Sequence, residues 1–113
     1  MVMMGRLFLA NAFALSMLST DTATIAVQAI SLDSARELLA SREFINAVGH
    51  QSTAELLSQL LNMPIAANRI EIKLESGDEL IVFQLMIRPP EGKVYTKEEL
   101  ESLPFRFYLV RVL

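Results

Sequence analysis

The chain has 113 residues, 52% of them hydrophobic, enough for one compact domain spanning residues 1–113 with a modest core. Ten Lys and Arg against 13 Asp and Glu give a net charge of −3, the opposite of the basic stripe that general DNA or RNA binders carry, so any anionic ligand has to be small and locally held. With no cysteine and a single histidine, thiolate and multi-histidine metal sites are excluded by count, and the carboxylates show no EF-hand spacing.

Taken in chain order, the apolar run at the N-terminus is too short for a signal-peptide core before Ala10-Asn11-Ala12. It is also too short and too polar, at Asn11 and Ser16, to span a bilayer. Arg6–Ala10 reads as a strand, Ala14–Leu18 as one turn of helix, and "TDTATIAVQAI" as a second, β-branched strand. "DSARELLA" then changes to a helical period, with Asp33 as N-cap and a continuation through Phe44–Val48. Ser52 or Thr53 is placed to cap a further helix that ends at Asn62, before Pro64. "NRIEIKL" and "ELIVFQLMI" read as two strands around Ser76-Gly77. The loop "RPPEGKVYT", a short helix "KEELESL" and a last strand "FRFYLVRV" complete the chain. Five strands with helices grouped in the middle predict an α/β or α+β domain built on one mixed sheet.

Read as a hairpin, the two central strands set Arg69 across from Gln84 and put both on one face with Arg88. Ile70, Ile72 and Leu74 then share the other face with Ile81, Phe83, Leu85 and Ile87. Gln84 is the lone polar residue of an apolar run, and a buried amide without partners costs roughly 1–3 kcal/mol. On this reading Gln84 and the two guanidiniums form a binding cluster; the simpler alternative is a pair of solvated arginines at strand ends. His50 has the same two readings. It is an ordinary surface or core histidine, or part of an anion site in which "GHQST", opening a helix, sets backbone N–H groups and hydroxyls beside the imidazole.

"FLANAFALSML", "VGHQSTAELLSQLL" and "NRIEIKLESGDELIVFQLMIRPPEGKV" together closely resemble the small viral and prokaryotic ring nucleases that degrade cyclic tetra-adenylate. That family includes the anti-CRISPR proteins that silence type III CRISPR signalling. The resemblance covers most of the chain and is weakest from about Ser19 to Phe44 and in the last strand. It implies a mixed five-stranded sheet flanked by helices, a homodimer whose cleft holds the cyclic nucleotide, and a place in the cytoplasm of a prokaryotic cell, on either a host or a viral gene. It also implies no cofactor, and partners limited to cyclic tetra-adenylate and a second copy of the chain, with neither DNA nor membrane.

Carried over residue by residue, the catalytic histidine falls on His50 as general acid, with Arg88 and Glu91 beside it in catalysis, while Asn11, Ser52, Arg69 and Gln84 fall on substrate-binding positions. Three positions depart from the pattern: Ala14 stands where relatives have a serine, Gln51 replaces an aspartate, and Pro89-Pro90 stiffens a loop that closes over the ligand in relatives. The implied reaction is metal-independent cleavage of cyclic tetra-adenylate to linear adenylates with 2′,3′-cyclic phosphate ends. The alternatives are a dimer that binds the cyclic nucleotide without cutting it, and a regulatory or structural dimer with no nucleotide.

Overall fold

The computed structural model describes residues 5–86, 96–102 and 104–113. Its elements run β1 (Leu7–Ala10), a 3-10 turn (Leu15–Met17), β2 (Ile25–Ile30), α1 (Leu32–Ser41), β3 (Ile45–Asn46), α2 (Gln51–Leu61), β4 (Glu79–Leu85), α3 (Lys97–Ser102) and β5 (Phe105–Val112). The five strands form one mixed sheet in the order β2-β5-β4-β1-β3. β1 is parallel to both β3 and β4, whereas β5 is antiparallel to both β4 and β2.

Both faces of the sheet are covered, which is why β1 and β4 read as unbroken apolar runs. On the helix side, Leu7, Leu9, Ile81, Phe83, Phe107 and Leu109 pack against Ala35 and Leu39 of α1 and the buried leucines of α2. Phe83, Phe105 and Phe107 form a ring cluster there, with centroids 5.2–5.8 Å apart. On the other side, Phe8, Ala10, Leu80, Val82, Val110 and Val112 are covered by Ile72, Leu74 and the segment around the 3-10 turn.

The fifth strand is not the one expected. Residues 68–74 do not pair with β4, because β1 and β5 already take both of its edges. The segment instead follows the outer edge of β3, where Asn68 N–H donates to the Val48 carbonyl at 2.7 Å, and then crosses to the far face of the sheet. There Ile72 and Leu74 join Leu80 and Val82, while Ile81 and Phe83 lie on the helix side, so the expected grouping of Ile72 with Phe83 is wrong. The turn between the two segments is real: Asp78 N–H donates to the Glu75 carbonyl at 2.9 Å, and Gly77 takes φ +92°, open to glycine without strain.

The helix boundaries shift for physical reasons. Ser31, not Asp33, caps α1, accepting from Ser34 N–H at 3.0 Å. α1 does not run on to Val48. Arg42 is extended, and Ile45 and Asn46 fill the open edge of β1, with Ala47 N–H donating to the Leu9 carbonyl at 2.8 Å. α2 ends as expected, on Asn62 in the left-handed region with φ 55°. Among the described residues, no helix is long and apolar enough to cross a membrane.

Candidate functional site

Because β3, β1 and β4 are parallel, their carboxyl ends open at one end of the sheet, where ligands of open α/β sheets commonly bind. Each strand delivers an expected residue there: β1 leads directly into Asn11, β3 into Gly49 and His50, and β4 carries Gln84 next to its last residue. Asn11 Oδ1 accepts from Gly49 N–H at 3.3 Å, which ties the exit of β1 to the exit of β3. The aliphatic stem of Arg69 runs past Gly49, so close that a Cβ there would meet its Cγ at 3.6 Å. Asn11, His50 and Arg69 are therefore neighbours, although the sequence separates them widely.

Two asparagines hold this arrangement. Asn68 Nδ2 donates to the Asn46 carbonyl at 2.7 Å, Asn46 Nδ2 donates to the Ala66 carbonyl, and Asn46 Oδ1 accepts from Val48 N–H at 3.0 Å. They seal the free edge of β3 and fix Arg69 as the next residue after Asn68. Sequence reasoning passed over both, and the signal available was two asparagines at places where a strand edge would otherwise be bare.

The start of α2 differs from the other helix starts. Ser31 caps α1, with Asp33 in its first turn. At α3, Thr96 and Glu99 exchange hydrogen bonds of 3.2 and 3.3 Å in a capping box. α2 has His50 as N-cap with no side-chain cap bond and no acidic residue in its first turn. Ser52 or Thr53 was expected as its cap, but the chain is already helical at Gln51, so those hydroxyls come two and three residues too late. His50, Gln51 and Ser52 are all exposed, and no side chain among the described residues caps the first N–H groups of α2.

Arginine pairing separates the site from the rest of the molecule. Arg6, Arg36, Arg42 and Arg111 each reach a carboxylate, at 2.7, 3.5, 2.6 and 3.2 Å respectively. Among the described residues Arg69 and Arg106 reach none. The residue across from Gln84 is Arg106 of β5, and not Arg69. Gln84 is also exposed, so the amide needs no buried partner. Arg88 and Glu91 lie outside the described residues. A separate groove of about 380 Å³ between α1 and the β2–β5 edge, lined by Gln28, Glu37 and Arg111 among others, is far along the sheet order from His50 and holds none of the expected residues.

Comparison with known proteins gives one consistent result. The STIV B116-like family model matches residues 7–107. The chain is 36% identical over 108 residues to protein 26 of Sulfolobus islandicus filamentous virus, covering 95% of this chain and 92% of that protein. It is 31% identical over 101 residues to the YddF protein of Bacillus subtilis, covering 88% and 94% respectively. Among solved structures, B116 of Sulfolobus turreted icosahedral virus is similar with a TM-score of 0.88 and 32% identity, over 95% of this chain and 99% of B116.

Proposed function

The chain belongs to the STIV B116-like family, and from that premise we propose that it is a ring nuclease, a metal-independent phosphodiesterase that opens cyclic tetra-adenylate and so switches off type III CRISPR signalling. The observation that carries this reading is the uncapped start of α2, with an exposed His50 at its head and the acid-free Arg69 beside it. Bare helix N–H groups and an unpaired guanidinium offer one phosphodiester both hydrogen-bond donors and charge.

The substrate supplies its own nucleophile. A ribose 2′-hydroxyl gives up its proton to solvent water as its oxygen attacks the adjacent phosphorus, the 2′-O–P bond forms, the P–O5′ bond breaks, and protonated His50 gives its proton to the departing 5′-oxygen. The product is a linear adenylate ending in a 2′,3′-cyclic phosphate. Arg69 and the α2 amides offset charge on the phosphoryl oxygens, and Asn11 keeps the Gly49–His50 corner in place through its bond to Gly49. The family resemblance assigns Arg88 to the phosphoryl oxygens as well and Glu91 to the histidine, with Ser52 and Gln84 contacting the nucleotide.

The protein acts as a symmetric dimer in the cytoplasm of a prokaryotic cell. A ring of four identical nucleotides contains a two-fold axis, so both halves can meet the same residues from each subunit. Exposed Leu15 and Val27 leave apolar surface for such a partner. The test is incubation with cyclic tetra-adenylate in excess EDTA, following products by mass. Linear adenylates with 2′,3′-cyclic phosphate ends are expected. Tight binding with the ring left intact would make the protein a sequestering module, EDTA inhibition would remove the metal-free route, and a 5′-phosphate product would make water the nucleophile.

A further inference from the structure

We infer that Arg106, with Tyr108 beside it, is a further binding residue of this site and holds a second phosphate of the bound oligonucleotide. The inference rests on the ring-nuclease reading, and extends it to a strand that carries none of the residues expected from the sequence.

Three observations converge on it. The first is charge accounting: Arg106 and Arg69 are the two described arginines that reach no carboxylate, whereas Arg111, on the same strand, is held by Glu79. The second is register. Arg106 pairs directly with Gln84 and Tyr108 with Val82, so guanidinium, amide and phenol stand on one face of the sheet. β5 runs antiparallel to β4, which puts Arg106, near the start of β5, at the carboxyl end of β4 where Asn11 and His50 also emerge. The third is cover. This is the face whose other end is buried under Ile72, Leu74 and the 3-10 turn, yet Gln84 and Arg106 are both exposed.

Tyr108 shapes the arginine. Its Oη accepts from Arg106 Nη1 at 3.4 Å, which orients the guanidinium without neutralising it. An arginine oriented by a phenol keeps its full charge and the rest of its fork of N–H donors, the geometry that matches a phosphate bidentately.

Calorimetric titration of the full-length protein with cyclic tetra-adenylate, and with linear tetra-adenylate as a second probe, tests the assignment. Arg106→Gln is expected to raise Kd tenfold or more and to make the salt dependence shallower by about 0.7 in log K against log salt, the loss of one phosphate contact. Arg106→Lys should recover part of the affinity, since a point charge lacks the fork, and shows that the strand tolerates a change there. Lys73→Gln, an equal loss of charge at the amino-terminal end of β1, should bind within twofold of wild type. Wild-type binding that Arg106→Gln leaves within twofold overturns this inference alone. Weaker self-association of Arg106→Gln without ligand reassigns the arginine to a subunit contact and also overturns it. A wild type that binds neither probe overturns this inference and the proposed function together.

Discussion

The two ends of the parallel strands are built on opposite principles. At the amino-terminal end of β1 and β4 the arginines are held by carboxylates. Asp78 is buried and accepts from Arg6 N–H at 2.9 Å, from Arg6 Nη2 at 2.7 Å and from Glu75 N–H at 2.9 Å. Beside it, Glu79 bridges Arg42 and Arg111. At the carboxyl end the donors stand open: the α2 N–H groups have no side-chain cap, and Arg69 and Arg106 reach no acid among the described residues. One end closes the chain on itself, and the other leaves donors unpaired among the described residues. On the proposed function, the paired end holds the strands in place while the open end gives up local stability for binding.

The largest expected effect lies at the open end. His50→Ala should lower turnover of cyclic tetra-adenylate by roughly a thousandfold, about 4 kcal/mol of transition-state stabilisation, with little change in binding or melting temperature. Single-turnover kinetics checks it, and an unimpaired variant would remove His50 as the leaving-group acid.

At the closed end, Asp78→Ala should lose about 3 kcal/mol of stability in urea unfolding, because it strands the N–H groups of Arg6 and Glu75 and frees a guanidinium. The loss depends on pH. Burial by itself pushes the Asp78 carboxyl up, but the Arg6 side chain, two backbone N–H bonds and the Arg6 charge outweigh it and hold the carboxyl below its ordinary value. A carboxyl lowered in the folded state contributes fully above its unfolded value of about 3.9 and loses that contribution as pH falls through the lower folded one. The gap between wild type and Asp78→Asn should therefore be constant from neutral pH down to about 5 and narrow below about 4. A gap that stays constant into strong acid would deny the ionic part of the interaction.

One pair of identical substitutions sharpens the contrast. A Cβ at Gly5 would fall 1.9 Å from the Gly77 carbonyl oxygen, a collision with backbone, whereas at Gly49 its nearest neighbour is the flexible Arg69 stem at 3.6 Å. Gly5→Ala should cost about 2 kcal/mol by thermal unfolding, in the range for overpacked sites. Gly49→Ala should fold nearly as well as wild type and show its effect in ligand affinity. The smallest effect compares two helix starts. Ser31→Ala should cost about 1 kcal/mol, since Ser31 caps α1, and Ser52→Ala should cost almost nothing, since Ser52 caps no helix. Equal losses at the two serines would erase the distinction between a capped helix and an open one.

Much of this was readable locally. Short apolar runs mark β1 and β4, β-branched character marks β2, and a period of 3.6 marks α1 and α2, because each pattern is a property of one segment. Asn62 before Pro64 ends α2 for equally local reasons. The family resemblance led to Asn11, His50 and Arg69, which the fold then sets side by side. Other features had no local signature. A two-residue strand such as Ile45–Asn46 has no period to detect; it exists because β1 has an edge to fill. Ser52 satisfied every rule for an N-cap except where the chain leaves its extended conformation.

The sequence by itself determined which segments are apolar and where α2 ends, since those follow from composition and spacing along one stretch of chain. Only the tertiary structure decided which strands are neighbours. The alternation in 68–74 fits a hairpin with β4 and a cover laid across Leu80 and Val82 equally well, because period 2 specifies faces and says nothing of partners. The choice was made by hydrogen bonds between distant segments: β1 and β5 took both edges of β4, and the displaced segment went to seal β3. That exchange is why Gln84 stands opposite Arg106, and why Arg69 stands beside His50 instead.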